Sequence, residues 1–376
     1  MSDEGIKALI REQLHAPQGD ATVEAWIGFS EASQKEDSVE LPPSIRPSCF
    51  DEFIGHENLK RNLVLSCNAA KQRGEPLDHV LFHGPPGLGK TSLARIVAAQ
   101  LGVGFKSTAG PILERAGDLA ALLSALQSND VLFIDEIHRM PRAIEEVLYP
   151  AMEDYHIDII IGQGPAARSI KVPLKPFTLI GATTRTGLLT SPLRDRFGII
   201  ERLEFYSPLE LQAIATRSAR ILNVNIAEDA AAEIGRRSRG TPRIANRVLK
   251  RVRDFAQDRG SPTITYALTQ EALSLLEIDT HGLDRMDRQI LRLMIERYDG
   301  GPVGIEALAA TLGEDRNTLE EVYEPFLLQE GLLARGRRGR EVTALGYQYL
   351  GIKSRTQAAL PLVQNPEKST VLKVGS

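Results

Sequence analysis

Eight consecutive residues, Gly84-Pro85-Pro86-Gly87-Leu88-Gly89-Lys90-Thr91, constrain this chain more than any others. They have the Gly-x-x-x-x-Gly-Lys-Thr spacing of a phosphate-binding loop. The glycines let successive backbone N–H groups turn inward and form an anion nest at a helix N-terminus. Lys90 would reach the terminal phosphates of a nucleotide, and the Thr91 hydroxyl would hold Mg²⁺. The loop needs a strand before it and a helix after it. The apolar run Val80-Leu81-Phe82 supplies the first, and Leu93, Ile96, Val97 and Leu101, at helical spacing up to Gly102, supply the second. A glycine-rich turn carrying an exposed lysine is the bland alternative, and it would not require that frame.

Val131-Leu132-Phe133-Ile134 is a second fully apolar strand, of the kind buried on both faces of a parallel sheet, and Phe177-Thr178-Leu179-Ile180 is a third. Strands alternating with helices imply right-handed βαβ crossovers, so residues 80–206 read as α/β. Asp135 and Glu136 end the second strand, expected beside the loop strand. There Asp135 would orient Mg²⁺ through its water shell and Glu136 would polarise the attacking water as general base. Thr183, after the third strand, would place that water or simply end the strand in a turn. Arg194 and Arg196 form either a surface pair or a guanidinium for the charge that builds on the transferred phosphate.

Around this core the chain divides. Residues 1–40 hold nine acids and three bases, and end at Leu41-Pro42-Pro43, so they read as an acidic extension, either a partly disordered tail or a docking segment. Residues 41–206 form the large domain. Residues 207–279 read as a purely helical small domain, opened by the capping box Ser207-Pro208-Leu209-Glu210 and restarted at Thr241-Pro242. Residues 280–352 show three helical patterns and then an arginine-glycine segment before Glu341-Val342-Thr343, which predicts a winged helix, and 353–376 is a tail. The net charge of −4 argues against a generally basic nucleic-acid binder. No run approaches the ~18 apolar residues of a membrane span. The start Met1-Ser2-Asp3-Glu4-Gly5 is too acidic for a signal peptide, and Cys49 and Cys67 fit neither a disulfide framework nor a zinc site. A cytoplasmic protein with no membrane partner is expected.

Arg335-Gly336-Arg337-Arg338-Gly339-Arg340 places four guanidiniums at a hairpin tip. The preceding helix carries Glu320, Glu321 and Glu324, which would repel the phosphates lining a major groove. The wing rather than the helix is therefore expected on DNA, without sequence preference; a solvated basic turn is the alternative. His156 to Val172 alternates like a hairpin around Gly162-Gln163-Gly164-Pro165. Its Ile159-Ile160-Ile161 would either face outward to grip a partner or pack against the neighbouring helix.

The phosphate loop, Asp135-Glu136, Thr183, Arg196 and Gly240-Thr241-Pro242-Arg243, in this order, resemble an AAA+ P-loop NTPase: a parallel sheet flanked by helices, with a helical lid. More narrowly, several segments resemble the RuvB family of Holliday-junction branch-migration motors, from about residue 41 to 351. They include Phe50-Asp51-Glu52-Phe53-Ile54-Gly55, Leu148-Tyr149-Pro150-Ala151-Met152-Glu153-Asp154-Tyr155, Gly164-Pro165-Ala166-Ala167-Arg168-Ser169 and Leu203-Glu204-Phe205-Tyr206. The resemblance implies an ATP- and Mg²⁺-dependent DNA translocase of recombination and repair, working as a homohexameric ring. Its partners would be double-stranded DNA and Holliday junctions, a RuvA-type junction-binding protein gripped by hairpin 156–172, and a RuvC-type resolvase. It implies that Ile45, Arg46 and Tyr206 border the adenine, and that Gly87, Gly89, Lys90, Thr91 and Ser92 line the phosphates. Glu153, Asp154 and Tyr155 would lie near nucleotide, Arg196 would be a finger inserted into a neighbour's site, and Arg243 would sense the γ-phosphate in cis. Arg335, Arg338 and Arg340 would meet DNA.

Two other AAA+ functions compete. A protein remodeller would prefer an aromatic pore loop, but Gly110-Pro111-Ile112-Leu113-Glu114-Arg115 has none. A clamp-loader-like switch would carry a helical collar where this chain has a winged helix. A small-molecule kinase would leave the lid arginine and the wing unexplained.

Overall fold

The computed structural model describes residues 45–161 and 168–353, in two compact units divided between Asp284 and Arg285. The extension 1–40 lies outside the described residues, as does the tail beyond 353.

In the first unit helix α1 (Glu57–Arg73) leads into strand β1 (Val80–His83), helix α2 (Lys90–Leu101), strand β2 (Phe105–Ala109), helix α3 (Ala116–Ser124) and strand β3 (Val131–Asp135). Helix α4 (Arg142–Asp154), the hairpin strands β4 (His156–Ile161) and β5 (Arg168–Pro173), strand β6 (Thr178–Thr183), the short helix α5 (Ser191–Arg194) and strand β7 (Ile199–Arg202) complete the α/β part. The five-stranded sheet is parallel in the order β2-β3-β6-β1-β7. Side chains alternate across it. Val80, Phe82, Val131 and Phe133 join Leu63, Cys67, Leu93 and Val97 on one face; Leu81, Leu132 and Ile134 join Ile144 and Leu148 on the other. Burial on both faces is why these strands read as unbroken apolar runs.

The order corrects one expectation. β3 is not beside the loop strand; β6 lies between them, with Ile180 in register with both Val80 and Phe133. The acids at the end of β3 and the phosphate loop after β1 therefore flank the end of β6, where Thr183 is followed by Thr184.

The lid follows as α6 (Pro208–Ile221), β8 (Asn225–Ile226), α7 (Glu228–Arg236), α8 (Pro242–Asp258), β9 (Thr263–Ile264) and α9 (Tyr266–Leu275). Ser207 and Glu210 make the expected capping box. The region is not purely helical, because β8 and β9 pair in parallel over two residues each. Ala215, Ile234, Val248, Leu249 and Val252 are among its buried core. Lid and sheet form one unit because several bonds cross between them, described below.

The second unit contains α10 (Arg285–Tyr298), α11 (Ile305–Leu312), α12 (Arg316–Thr318), a π-helical turn (Leu319–Tyr323), α13 (Glu324–Gln329), the antiparallel strands β10 (Leu333–Gly336) and β11 (Gly339–Val342), and α14 (Ala344–Tyr349). This is a winged helix. Thr343, expected to extend the strand, instead caps α14 by accepting from the Gly346 N–H.

Candidate functional site

The phosphate loop is held open by backbone that only glycine adopts easily. Gly84, Gly87 and Gly89 have φ of 141°, 80° and 100°. A Cβ at Gly84 would collide with the Leu203 carbonyl; one at Gly87 would lie 3.0 Å from Arg243 Cβ, and one at Gly89 3.2 Å from the Phe53 ring. Gly89 caps α2, so the helix begins at Lys90 and Thr91 and its first N–H groups face the loop. Lys90 is 7% exposed and donates from Nζ to the Gly84 and Pro85 carbonyls at 2.9 and 3.0 Å. A buried ammonium at a helix N-terminus, ringed by glycine backbone, is a site for an anion of phosphate size. The donor set for Mg²⁺ is of the right kind: hard oxygens on Thr91 and on Asp135, the latter accepting the Glu136 N–H at 2.9 Å. With one hydroxyl and one carboxylate, the remaining ligands fall to phosphate and water, the usual arrangement for this ion.

Glu136 turns the chain with a left-handed φ of 45°, a conformation that costs non-glycine residues free energy and gathers at working sites. Its Oε2 accepts the Thr184 hydroxyl at 3.1 Å and lies 3.2 Å from His138 Nδ1. Thr183, the residue expected to serve here, is fully buried. Its hydroxyl is 2.9 Å from His138 Nδ1 and accepts the Arg185 N–H at 3.0 Å. The hydroxyl facing the base thus belongs to Thr184, in the bend just after β6, while Thr183, the last residue of the strand, is buried. His138 was invisible to spacing arguments. It sits on the 3₁₀ turn Ile137–Arg139, and burial above all, then Arg185, Arg139 and Lys90, holds its pKa down to about 4.

The residues expected around the adenine knit sheet to lid. Tyr206 donates its hydroxyl to the Leu88 carbonyl at 3.1 Å and its N–H to Gly240 at 2.9 Å, and its ring meets His56 edge-on at 4.8 Å. The carbonyl of buried Ile45 accepts Arg217 from α6 at 2.9 Å, and the same guanidinium pairs with Glu52. The Arg243 N–H, one residue into α8, reaches the Gly87 carbonyl at 3.3 Å. Burial, with Glu210 in the same sense, pushes the Tyr206 phenol well above its ordinary range, so it stays a donor.

Arg196 stands apart from this cleft. Its guanidinium carbon lies 4.5 Å over the Tyr149 ring, one Nη is 3.0 Å from Glu153, and the other donates to the Pro192 carbonyl at 2.7 Å. Tyr149 is itself held by Thr190 and Glu145, and Arg196 Nε is buried with no hydrogen-bond partner among the described residues. Arg194, by contrast, is half exposed, 3.9 Å from Asp195. Glu153 therefore groups with Arg196, and the Tyr155 ring packs on Phe177, which precedes the N-terminal end of the central strand β6, whereas the phosphate loop follows the C-terminal end of β1. Within one protomer, Tyr155 is thus separated from the phosphate loop by the length of the sheet.

In the winged helix Arg335 and Arg340 are cross-strand partners, with Arg337 and Arg338 exposed in the turn between. Arg340 departs from the expected free DNA contact. It is 7% exposed and donates to Glu324 at 2.9 and 3.0 Å and to Glu320 at 2.8 Å. Inward-facing positions of β11 are 340 and 342, which puts this guanidinium under the hairpin. Glu320 and Glu324 accordingly face the wing's arginines rather than a groove. The Arg335 guanidinium lies 3.8 Å from each. In the hairpin β4–β5, Ile157 is buried and Ile170 is 41% exposed; the side chains of Ile159-Ile160-Ile161 lie outside the described residues.

Three family models match successive parts of residues 45–351: the Holliday junction DNA helicase RuvB P-loop domain over residues 45–203, the RuvB AAA lid domain over 206–279, and the RuvB C-terminal winged helix domain over 280–351. This chain belongs to the RuvB family. A relative from Paramagnetospirillum magneticum, the Holliday junction branch migration complex subunit RuvB, is 57% identical over 320 residues, covering 85% of this chain and 92% of its own. The solved Thermotoga maritima RuvB Holliday junction branch migration motor is 52% identical with a TM-score of 0.76, and the match covers 82% of this chain and 99% of that one. A point variant of the Thermotoga protein superposes with a TM-score of 0.77 at the same identity and coverage. The nucleotide-binding core, lid and winged helix are thus those of a RuvB AAA+ ATPase, and no helix among the described residues is long and apolar enough to cross a membrane.

Proposed function

We infer that this chain is the ATP-driven motor of Holliday-junction branch migration, acting on double-stranded DNA with a RuvA-type partner in recombination and repair. The observation that carries the reading is the bond from the Arg243 N–H to the Gly87 carbonyl, which joins lid to phosphate loop in a chain that also bears an arginine-tipped wing.

Lys90 leaves the Gly84 and Pro85 carbonyls to bind the β- and γ-phosphates, with Gly87, Gly89 and Ser92 along the same cradle. Glu136 takes a proton from the attacking water, which Thr184 helps to place. Mg²⁺, held by Thr91 and Asp135, neutralises phosphate charge when bound. Arg196, braced by Tyr149 and Glu153, serves the site of the next protomer in a homohexameric ring. The orphaned Nε and the contacts of this guanidinium with Tyr149, Glu153 and the Pro192 carbonyl support this, and Glu153, Asp154 and Tyr155 then border that neighbouring nucleotide. Arg46, Ile45 and Tyr206 line the base, and Arg243 reads the γ-phosphate, so that lid posture follows nucleotide state through differential contacts.

Exposed Arg335 and Arg338 meet backbone phosphates, while Arg340 first holds the wing on Glu320 and Glu324. The hairpin 156–172 is the seat for the RuvA-type protein, a RuvC-type resolvase joins the same assembly, and the cytoplasm is its compartment. The test is dissociation of a synthetic four-way junction by the purified chain with ATP and Mg²⁺, with and without the junction-binding partner. Partner-stimulated, ATP-dependent separation is expected. ATP turnover without junction movement would refute it.

A further inference from the structure

One histidine next to the hydrolytic site has no role in the scheme above. His138 lies on the turn that leaves β3, with its side chain 3% exposed. Its Nδ1 is 3.2 Å from Glu136 Oε2 and 2.9 Å from the Thr183 hydroxyl, which is also bonded to the Arg185 N–H. The tautomer follows from this geometry. A lone pair on Nδ1 would sit 3.2 Å from a carboxylate oxygen, which disfavours it, so we assign the proton to Nδ1, where it is donated to Thr183 with the Glu136 oxygen beside it. The low pKa of the buried ring, about 4, keeps it a neutral donor at physiological pH.

We propose that His138 is a positioning residue for ATP hydrolysis, whose Nδ1–H fixes the Glu136 carboxylate and ties it to the Thr183 hydroxyl at the end of β6. The proposal rests on the reading of Glu136 as the general base. Glu136 needs such a tie. It has three side-chain torsions, is 27% exposed and follows a left-handed turn, whereas a base must be held to within about 0.5 Å of its working place. Two polar groups from different elements meet at the same oxygen: the Thr184 hydroxyl, from beyond β6, donates to it at 3.1 Å, and His138 Nδ1, from the turn after β3, lies 3.2 Å from it. The carboxylate therefore reports on the spacing of two strand ends, one leading into the metal-binding acid and the other into the loop toward Arg196.

The experiment uses the full-length chain, with steady-state ATP turnover on four-way junction DNA and binding of the fluorescent analogue mant-ATP. His138→Phe keeps an aromatic ring but removes the donor. It should lower kcat by roughly 10- to 100-fold, the cost of a small misplacement of a reacting group, while KM and mant-ATP affinity stay within about twofold. His138→Asn restores an N–H near the Nδ1 position and should recover most of the turnover. His138→Gln, whose amide reaches the Nε2 position instead, should not. A merely structural histidine would not distinguish Asn from Gln.

Retention of kcat within about threefold in His138→Phe overturns the proposal, as does equal turnover in the Asn and Gln variants. Glu136→Gln, run in parallel, separates the two levels: if it still turns over at the normal rate, the base assignment itself fails. If His138→Phe does not fold, Thr183→Val decides. It removes the anchor of the imidazole and should lower kcat with mant-ATP affinity kept, and an unchanged kcat there overturns the proposal.

Discussion

Replacing Arg340 should loosen the wing before it touches any question of DNA. Its guanidinium makes three hydrogen bonds to Glu320 and Glu324, whose side chains are 7% and 6% exposed. Removing one side of a buried ion pair costs about 3–5 kcal/mol, because the remaining charge stays desolvated. Here Arg335 lies 3.8 Å from each carboxylate and Arg316 3.6 Å from Glu320, so partial compensation places Arg340→Ala near the lower end, at about 3 kcal/mol. The unit from Arg285 onward has a total stability of only roughly 3–10 kcal/mol on per-residue averages. Native-state hydrogen exchange of the amides in Leu333–Val342 reads the loss directly. At 1.4 kcal/mol per decade, protection should fall by about two orders of magnitude. Adding Glu320→Gln and Glu324→Gln to Arg340→Met removes the stranded charges and should return protection to within about tenfold of the parent. Protection unchanged in Arg340→Ala would refute the reasoning. Weakened DNA binding by this variant alone therefore says nothing about a phosphate contact, whereas Arg338→Ala, at an exposed position of the turn, does.

Two further expectations can be checked on the whole chain. Mixing Arg196→Ala with Glu136→Gln subunits, each inactive alone, should restore part of the ATPase, since a ring then contains sites with an intact base facing an intact finger; no recovery in mixed rings shown to form would exclude a shared site. His79 accepts the Leu179 N–H on Nδ1 and donates from Nε2 to the Met152 carbonyl, and burial, against smaller opposing effects of the Met152 bond and Asp78, lowers its pKa. The unfolded chain takes up the proton first as pH falls below about 6.5, so stability is full near neutrality and declines through pH 6 and 5; thermal midpoints across that range should show it, with a flatter profile for His79→Gln.

What the sequence made legible was chemistry borne on apolar strands and glycine loops. Val80–Phe82, Val131–Ile134 and Phe177–Ile180 announce themselves because both faces of a parallel strand are dry. β2 and β7 do not, since Phe105–Ala109 is half-buried throughout and Ile199–Arg202 alternates at a sheet edge. Strand order was out of reach for the same reason that β6 was not foreseen between β1 and β3: adjacency comes from crossovers, which leave no local mark. Which of two adjacent threonines meets Glu136 depends on where β6 ends, one residue before Thr184, and His138 carries no spacing signal at all. Charges misled most. Glu320 and Glu324 read as a solvent-facing repulsive face, and only the pleat of β11 shows that they are spent on Arg340.

Tyr206 has a consequence for how the lid moves. Its amide is bonded to Gly240 ahead of the lid helix, and its hydroxyl to the Leu88 carbonyl inside the phosphate loop. A displacement of the lid that stretches either link therefore pulls on the other, so one side chain ties the position of the lid to that of the phosphate loop.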